Sequence, residues 1–145
     1  MDGNVTQFNR RINYLIEETD AVYHEIAVRL GLSDSVMLIL YALEDAGGQI
    51  PLTTIYRQTG ASKQTINSAI RGLEKEGLLY LAQYHGRAKK VVLTDKGNRF
   101  AQQTAARIRQ AEQDAFASWT EEEVRTHIRL LEKYTECFRR EIEKL

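Results

Sequence analysis

The chain has 145 residues, 43% of them hydrophobic, which suits one compact domain or a small domain that carries extra helices. No apolar run approaches the roughly 18 residues needed to span a bilayer and the N-terminus lacks a signal-peptide stretch, so we expect a cytoplasmic protein with no membrane partner. The single cysteine, Cys137, excludes an internal disulfide and a cysteine metal cluster.

Positive charge is concentrated in the middle of a chain whose formal net charge is zero. Residues 1–50 hold three Lys and Arg against eight Asp and Glu, whereas residues 51–97 hold eight against three. From residue 98 onward the two counts are nine and nine. This local excess predicts a nucleic-acid surface on an otherwise balanced scaffold.

The first part of the chain predicts two helices and a short strand. Apolar residues spaced three and four apart predict a long first helix that ends at Gly31. The second helix, SVMLILYALEDA, follows the N-cap Ser33, is apolar on most sides and stops at Gly47 and Gly48. Ile50 then predicts a short strand.

A helix-turn-helix is predicted next. The segment PLTTIYRQTG is a short helix that begins near Pro51 or Leu52 and ends at Gly60. The following helix begins at the N-cap Ser62, closes at Gly77 and divides into an apolar and a polar face. The polar face consists of Lys63, Gln64, Asn67, Ser68 and Arg71.

The opening turn of that second helix has no carboxylate. Helix starts favour Asp and Glu, and the chain follows this preference after Thr120, where three Glu stand in a row. After Ser62 the sequence is KQT, and no acid appears before Glu74. The phosphate of a partner would supply the missing anion, and an ordinary exposed amphipathic helix is the alternative.

A basic β-hairpin follows. The segments LLYLAQY, HGRAKK and VVLT predict two strands whose turn is formed by His85 and Gly86. Arg87 at the tip suits a narrow, negative minor groove, and Lys89 and Lys90 suit the DNA backbone. Solvent-facing charge that blunts an edge strand is the alternative for the two lysines, and strand alternation points only one of them toward DNA.

Two more helices complete the chain. One long helix is predicted from Thr94 to about Trp119, with no partner in the central domain, and a last helix from the capping-box residue Thr120. Together with the first helix they would expose a large apolar stripe in a monomer. We therefore expect a homodimer, and a self-contained antiparallel bundle is the alternative.

The order helix, helix, polar-faced helix, strand, basic turn, strand is the layout of a winged helix. In the segments IPLTTIYRQTGASKQTINSAIRGLEKEGLL and GRAKKVVLTDKG the chain resembles the MarR (multiple antibiotic resistance regulator) family of bacterial transcription factors. The sharpest motif is Leu93-Thr94 followed by Lys96-Gly97. The family usually has an Asp shortly before the wing Arg, and this sequence has none there, so the resemblance does not carry over the salt bridge that would brace the wing.

The resemblance implies a mainly α fold with a small β-hairpin wing. An N-terminal dimerisation helix occupies residues 1–32, the winged helix-turn-helix residues 33–95, and C-terminal dimerisation helices residues 96–145. It further implies a homodimer that binds pseudo-palindromic double-stranded DNA, with recognition helices in major grooves and wings in flanking minor grooves. We expect a repressor without cofactor or metal. The candidate DNA-binding residues are Ser62, Lys63, Gln64, Thr65, Asn67, Ser68, Arg71, His85, Arg87, Lys89 and Lys90.

The resemblance also implies a small-molecule effector, because in relatives an aromatic acid or phenol often binds between the winged helix and the dimer helices. Tyr14, Tyr23, His24 and Tyr41 could line such a cleft, and aromatic residues at this spacing are otherwise core.

A winged helix used only for protein contacts, without specific DNA binding, is the main alternative. An enzyme is not expected: His24-Glu25 begins like a zinc-protease motif, but Val28 stands where a second His is needed, and there is no phosphate loop or nucleophile elbow.

Overall fold

The computed structural model describes residues 2–145, so the first residue of the predicted segment 1–32 lies outside it. The elements in chain order are α1 (Asp2–Arg29), α2 (Asp34–Asp45), β1 (Gln49–Pro51), α3 (Leu52–Thr59), α4 (Lys63–Lys75), β2 (Leu79–Gln83), β3 (Lys89–Leu93), α5 (Asp95–Gln103), α6 (Ala105–Ala115) and α7 (Glu121–Ile142). The strands form one antiparallel sheet in the order β1-β3-β2. The predicted fold class, mainly α with a small β wing, is confirmed.

Local capping signals place the helix ends as the sequence predicted. The Ser33 hydroxyl accepts the Val36 N–H at 3.3 Å at the start of α2, and the Ser62 hydroxyl accepts the Thr65 N–H at 3.1 Å at the start of α4. Gly60 takes a φ of +64°, a left-handed conformation in which a side chain is strained, and ends α3. The turn between α3 and α4 is therefore tight.

The core lies between α2, the helix-turn-helix and the sheet. Ile39, Leu40 and Leu43 of α2 are fully buried, as the apolar surface of this helix predicts. Each such side chain contributes about 1.5–3 kcal/mol through burial. Their main buried partners are Ile55, Ile66, Ile70, Leu73, Leu78, Leu79, Val91, Leu93, Ala101 and Ala105.

The helix predicted to run unbroken from Thr94 to Trp119 is in fact two helices, so this prediction is wrong. Thr104, which is buried, interrupts it, and its hydroxyl donates a hydrogen bond to the Phe100 carbonyl at 2.7 Å. Such a bond to the preceding turn often bends a helix. Ala101 and Ala105, on either side of the break, lie in the main core, so the expectation that this segment has no partner in the central domain is wrong as well.

An ion pair joins the second turn of α6 to the end of α2. Arg109 donates to Glu44 at 2.8 Å and lies 3.2 Å from a carboxylate oxygen of Asp45. The hydrogen bond and the negative charge of Glu44 raise the pKa of Arg109 above its usual value. Glu44 therefore stabilises the charged form of the guanidinium.

The chain divides into two compact units, residues up to Arg109 and residues Gln110–Leu145. In the second unit, α7 begins with the predicted capping box of Thr120 and Glu123 and buries no side chain. Within residues 2–145 no single helix is long and apolar enough to cross a membrane; α1 and α2 pass that test only as a pair, which is bent by 92°.

Three hydrogen bonds fix the corner at which α4, β2 and α5 meet. The Thr94 hydroxyl accepts the Gly97 N–H at 3.0 Å and donates to the Gly77 carbonyl at 2.7 Å, so it caps α5 and holds the turn after α4. Lys96 donates to the Glu76 carbonyl at 2.8 Å. The Thr94 and Lys96 side chains of the predicted motif thus bind the carbonyls at the end of α4.

Gly97 sits at this corner because no side chain fits there. A Cβ atom at residue 97 would lie 1.7 Å from the carbonyl oxygen of Leu78 and 3.1 Å from the Leu93 side chain. The near atom belongs to the backbone, which cannot rotate away as a side chain does. The first turn of α5 is therefore in direct contact with the start of β2.

We predict that Gly97→Ala lowers the free energy of unfolding by about 2–4 kcal/mol, because the added methyl group forces α5 and β2 apart. The matched control is Gly72→Ala, since Gly72 lies in α4 with open space at its Cβ position, and alanine there should stabilise by up to about 1 kcal/mol. Urea unfolding at one fixed protein concentration measures both. Equal effects of the two variants would contradict the close contact at Gly97.

Candidate nucleic-acid interface

The polar face of α4 is accessible from solvent. Ile66, Ile70 and Leu73 are buried on the opposite face, against the core. Asn67 is half-buried, and the other predicted residues of this face, Lys63, Gln64, Ser68 and Arg71, are exposed. The helix therefore presents amide, hydroxyl and cationic groups together on one side.

Ser62 and Thr65 cap the start of α4. Their hydroxyl oxygens lie 2.8 Å apart, and Ser62 also accepts the backbone N–H of Thr65. The first turn has no acid, as the sequence indicates. This lack is shared by α3 and α6, and the first turn of α6 also carries an exposed cation, Arg107, so the missing acid does not by itself set α4 apart.

A residue that the sequence reasoning missed, Tyr56 of α3, contacts this face. Its hydroxyl donates a hydrogen bond to Oδ1 of Asn67, and the Nζ of Lys63 lies 5.4 Å from its ring centroid. The second contact is a cation–π interaction. No local pattern signals these contacts, because they join side chains of two different helices.

The wing turn differs from its prediction. Strand pairing ends at Gln83 and Lys89, which leaves a connection of five residues. Within it the Ala88 N–H donates to the His85 carbonyl at 2.8 Å, so the central residues of the turn are Gly86 and Arg87. The prediction of His85 and Gly86 as the turn pair is therefore wrong by one residue. Gly86 takes a φ of +55°, and His85, which precedes the two central residues, does not have a positive φ.

Gln83 braces the wing. Its amide nitrogen donates to the Gly86 carbonyl, and its amide oxygen accepts a hydrogen bond from the Lys89 ammonium at 2.8 Å. These bonds span the base of the turn, and the residues between Gln83 and Arg87 include no Asp. The neutral side-chain amide of Gln83 thus stabilises the turn and holds Lys89 by a hydrogen bond within the wing.

The other cationic side chains of the wing differ in whether they have a hydrogen-bond partner. Lys90 donates to the Gln49 amide oxygen of β1 at 2.8 Å, on the opposite face of β3 from Lys89. Arg87 is exposed, and no other residue of the described chain pairs with its guanidinium. His85 is exposed beside it and its ring contacts that of Tyr84, with centroids 4.2 Å apart. The tip of the wing therefore offers Arg87 to a partner.

The proposed effector residues fall into two groups. Tyr23 and Tyr41 are half-buried and pack against a small cluster formed by Ala27, Met37 and Ile108.

Tyr14 and His24 are exposed, with different contacts. The Tyr14 hydroxyl donates to Glu18 at 2.9 Å on the same helix. Nδ1 of His24 lies 2.9 and 3.0 Å from the two carboxylate oxygens of Asp34, at the start of α2. Among residues 2–145 no cluster of three or more His, Cys, Asp or Glu side chains could hold a metal ion.

This geometry defines a winged helix-turn-helix protein, and comparison with known proteins shows which family the chain is similar to. The sequence model of the MarR family matches residues 25–88. No curated protein matches the chain.

Solved structures of MarR family regulators share the fold. One from Neisseria meningitidis has a TM-score of 0.80 at 19% identity, with 97% of both chains covered. One from Silicibacter pomeroyi has a TM-score of 0.66 at 22% identity and covers 85% of this chain and 84% of its own. BpsR from Bordetella bronchiseptica, whose DNA binding is regulated by 6-hydroxynicotinic acid, has a TM-score of 0.65 at 21% identity, with 86% and 98% covered. The predicted resemblance to the MarR family is confirmed, by sequence over residues 25–88 and by fold over most of the chain.

Proposed function

We propose that this protein is a cytoplasmic, dimeric transcriptional regulator, not an enzyme, that binds double-stranded DNA at specific sequences and acts as a repressor. The observation that carries the proposal is the exposed polar face of α4 on the same domain as a wing whose tip offers Arg87. A locally basic surface of this kind attracts phosphates even when the whole chain is neutral.

The residue chemistry assigns a role to each part of the surface. Gln64, Asn67 and Ser68 can donate and accept hydrogen bonds at base edges in the major groove, whereas Lys63 and Arg71 reach guanine or phosphate. The guanidinium of Arg87 suits the narrow, negative minor groove. Lys89 and Lys90 each give one of three ammonium N–H groups to a glutamine, so their other donors can reach the DNA backbone.

Two exposed apolar stripes support a homodimer. On α1, Val5, Phe8, Ile12 and Leu15 are between 44 and 57% exposed. On α7 the stripe consists of Ile128, Leu131, Tyr134, Phe138 and Ile142, all between 46 and 53% exposed. Monomers rarely expose such patches, and a second copy would cover them. A two-fold axis would then give two recognition helices, which matches a pseudo-palindromic operator. The division into dimerisation helices at residues 1–32 and 96–145 around a DNA-binding domain at residues 33–95 is part of this proposal.

A small aromatic effector is proposed to release the DNA. Regulation of BpsR by 6-hydroxynicotinic acid gives a precedent for such chemistry in a protein of similar fold. Tyr14, Tyr23, His24 and Tyr41 offer rings and hydrogen-bonding groups that would suit an aromatic acid. The effector must bind the form that releases DNA more tightly than the form that binds it.

We predict that Arg87→Ala weakens binding to most duplex sequences by roughly tenfold or more, because a dimer loses two guanidinium contacts. The wild-type affinity should fall with salt with a log–log slope on the order of −6 to −9, if each protomer neutralises about four phosphates, and the variant slope should be shallower by one to two. Fluorescence anisotropy over a salt series measures both.

Arg129→Ala is the control, since it removes an exposed arginine from α7 and should leave affinity and slope unchanged. If Arg87→Ala and wild type bind with equal affinity at moderate salt, the proposal that the wing contacts DNA is wrong. A wild-type slope near zero, with no specific duplex site, would favour the winged-helix module that contacts only proteins.

We predict a dimer of 16.7 kDa chains, and a shift toward monomer when Leu131 and Phe138 are both replaced by Asp. The reason is that four carboxylates per dimer would be placed in an apolar interface, where burying charge is costly. The control is Lys133→Asp, on the opposite face of α7, which should remain dimeric. Sedimentation equilibrium measures the masses, and a monomeric wild type would contradict the homodimer.

A further inference from the structure

We propose that Tyr56 sets part of the base preference of the protein by fixing the side-chain amide of Asn67. The proposal rests on the DNA-binding function proposed above and deepens it. Tyr56 is a positioning residue in this scheme, because it acts on the DNA through Asn67.

The contact is well placed to hold the amide in one orientation. Tyr56 is half-buried and its ring packs against the main core, so its hydroxyl is presented from a fixed position on α3. That hydroxyl donates to Oδ1 of Asn67, which is itself half-buried in the second turn of α4. Both ends of the hydrogen bond are thus restrained before any ligand arrives.

The orientation decides which group faces a base. An asparagine amide carries an acceptor oxygen on one side and a donor NH₂ on the other, and a half-turn of the amide exchanges them. With Oδ1 engaged by Tyr56, Asn67 presents its NH₂ group outward. This donor matches N7 of a purine, O6 of guanine or O4 of thymine, whereas cytosine offers only its own N4 donor in the major groove. Cytosine should therefore be disfavoured at the base that Asn67 faces.

The hydroxyl can be removed without disturbing the rest of the contact. The Lys63 ammonium interacts with the Tyr56 ring, at 5.4 Å from its centroid, and a phenylalanine ring would keep this interaction. Tyr56→Phe therefore leaves the basic surface intact and frees only the amide. The effect of the hydroxyl on base preference can therefore be measured without a change in the electrostatic part of the affinity.

The experiment measures the binding of the full-length protein to a duplex set in which each base of the selected half-site is varied in turn. Four proteins are compared: wild type, Tyr56→Phe, Asn67→Ala and the double variant. Asn67→Ala identifies the base pair that Asn67 reads. At that pair alone, Tyr56→Phe should reduce the discrimination against cytosine at least threefold, and the double variant should match Asn67→Ala. The salt slope should stay at the wild-type value.

Tyr80→Phe is the control for loss of a tyrosine hydroxyl, since Tyr80 lies on β2, outside the polar face of α4, and should bind as wild type does. Unfolding midpoints confirm that the variants are folded. A second readout needs the wild type alone: the Asn67 Nδ2 order parameter in the free protein should be that of a rigid group, roughly 0.8 or higher.

Several outcomes overturn the inference. These are an unchanged preference in Tyr56→Phe, a uniform loss over all bases, a double variant weaker than Asn67→Ala, or an order parameter below about 0.6. If the wild type itself selects no sequence, the proposed function fails and this inference with it. If the wild type selects a site and Tyr56→Phe behaves identically, only the role of Tyr56 is wrong.

Discussion

The contact between Gly97 and the carbonyl oxygen of Leu78 is the constraint on which the candidate interface depends. It brings the start of α5 against the start of β2, where a Cβ would come within 1.7 Å of that oxygen. Thr94 and Lys96 then bind the carbonyls of the turn that ends α4. As a result, the last turn of α4 and the first residues of β2 meet at the corner formed by Gly97 and Leu78. This packing sets the position of α4 relative to the wing.

Hydrogen bonds and cation contacts then fix the side chains of the surface formed by α4 and the wing. Three local devices shape the surface: the Ser62 cap, the Tyr56 contacts to Asn67 and Lys63, and the Gln83 bonds across the wing. Each uses neutral partners, so Lys63 and Lys89 are held without being neutralised by carboxylates. A phosphate partner would meet positive charge that is already oriented, which reduces the entropy lost on binding.

Features that depend on neighbouring residues could be predicted from the sequence, and features that depend on packing between elements could not. Ser33, Ser62 and Thr120 were identified as helix caps because capping is a local interaction. The break at Thr104 was missed because it has no Gly or Pro signal and arises from core packing around a buried hydroxyl. The wing turn was misplaced by one residue because its hydrogen-bond register depends on strand pairing. Tyr56 was missed because its partners lie on another helix.

The measurement that tests the central claim most directly is selection of bound duplexes from a random pool by the full-length protein. A surface built from α4 and the wing, presented twice by a dimer, should recover an inverted repeat whose half-site centres lie roughly 10 base pairs apart. Recovery of a single, unrepeated site, or of no enriched sequence at all, would contradict a paired recognition surface.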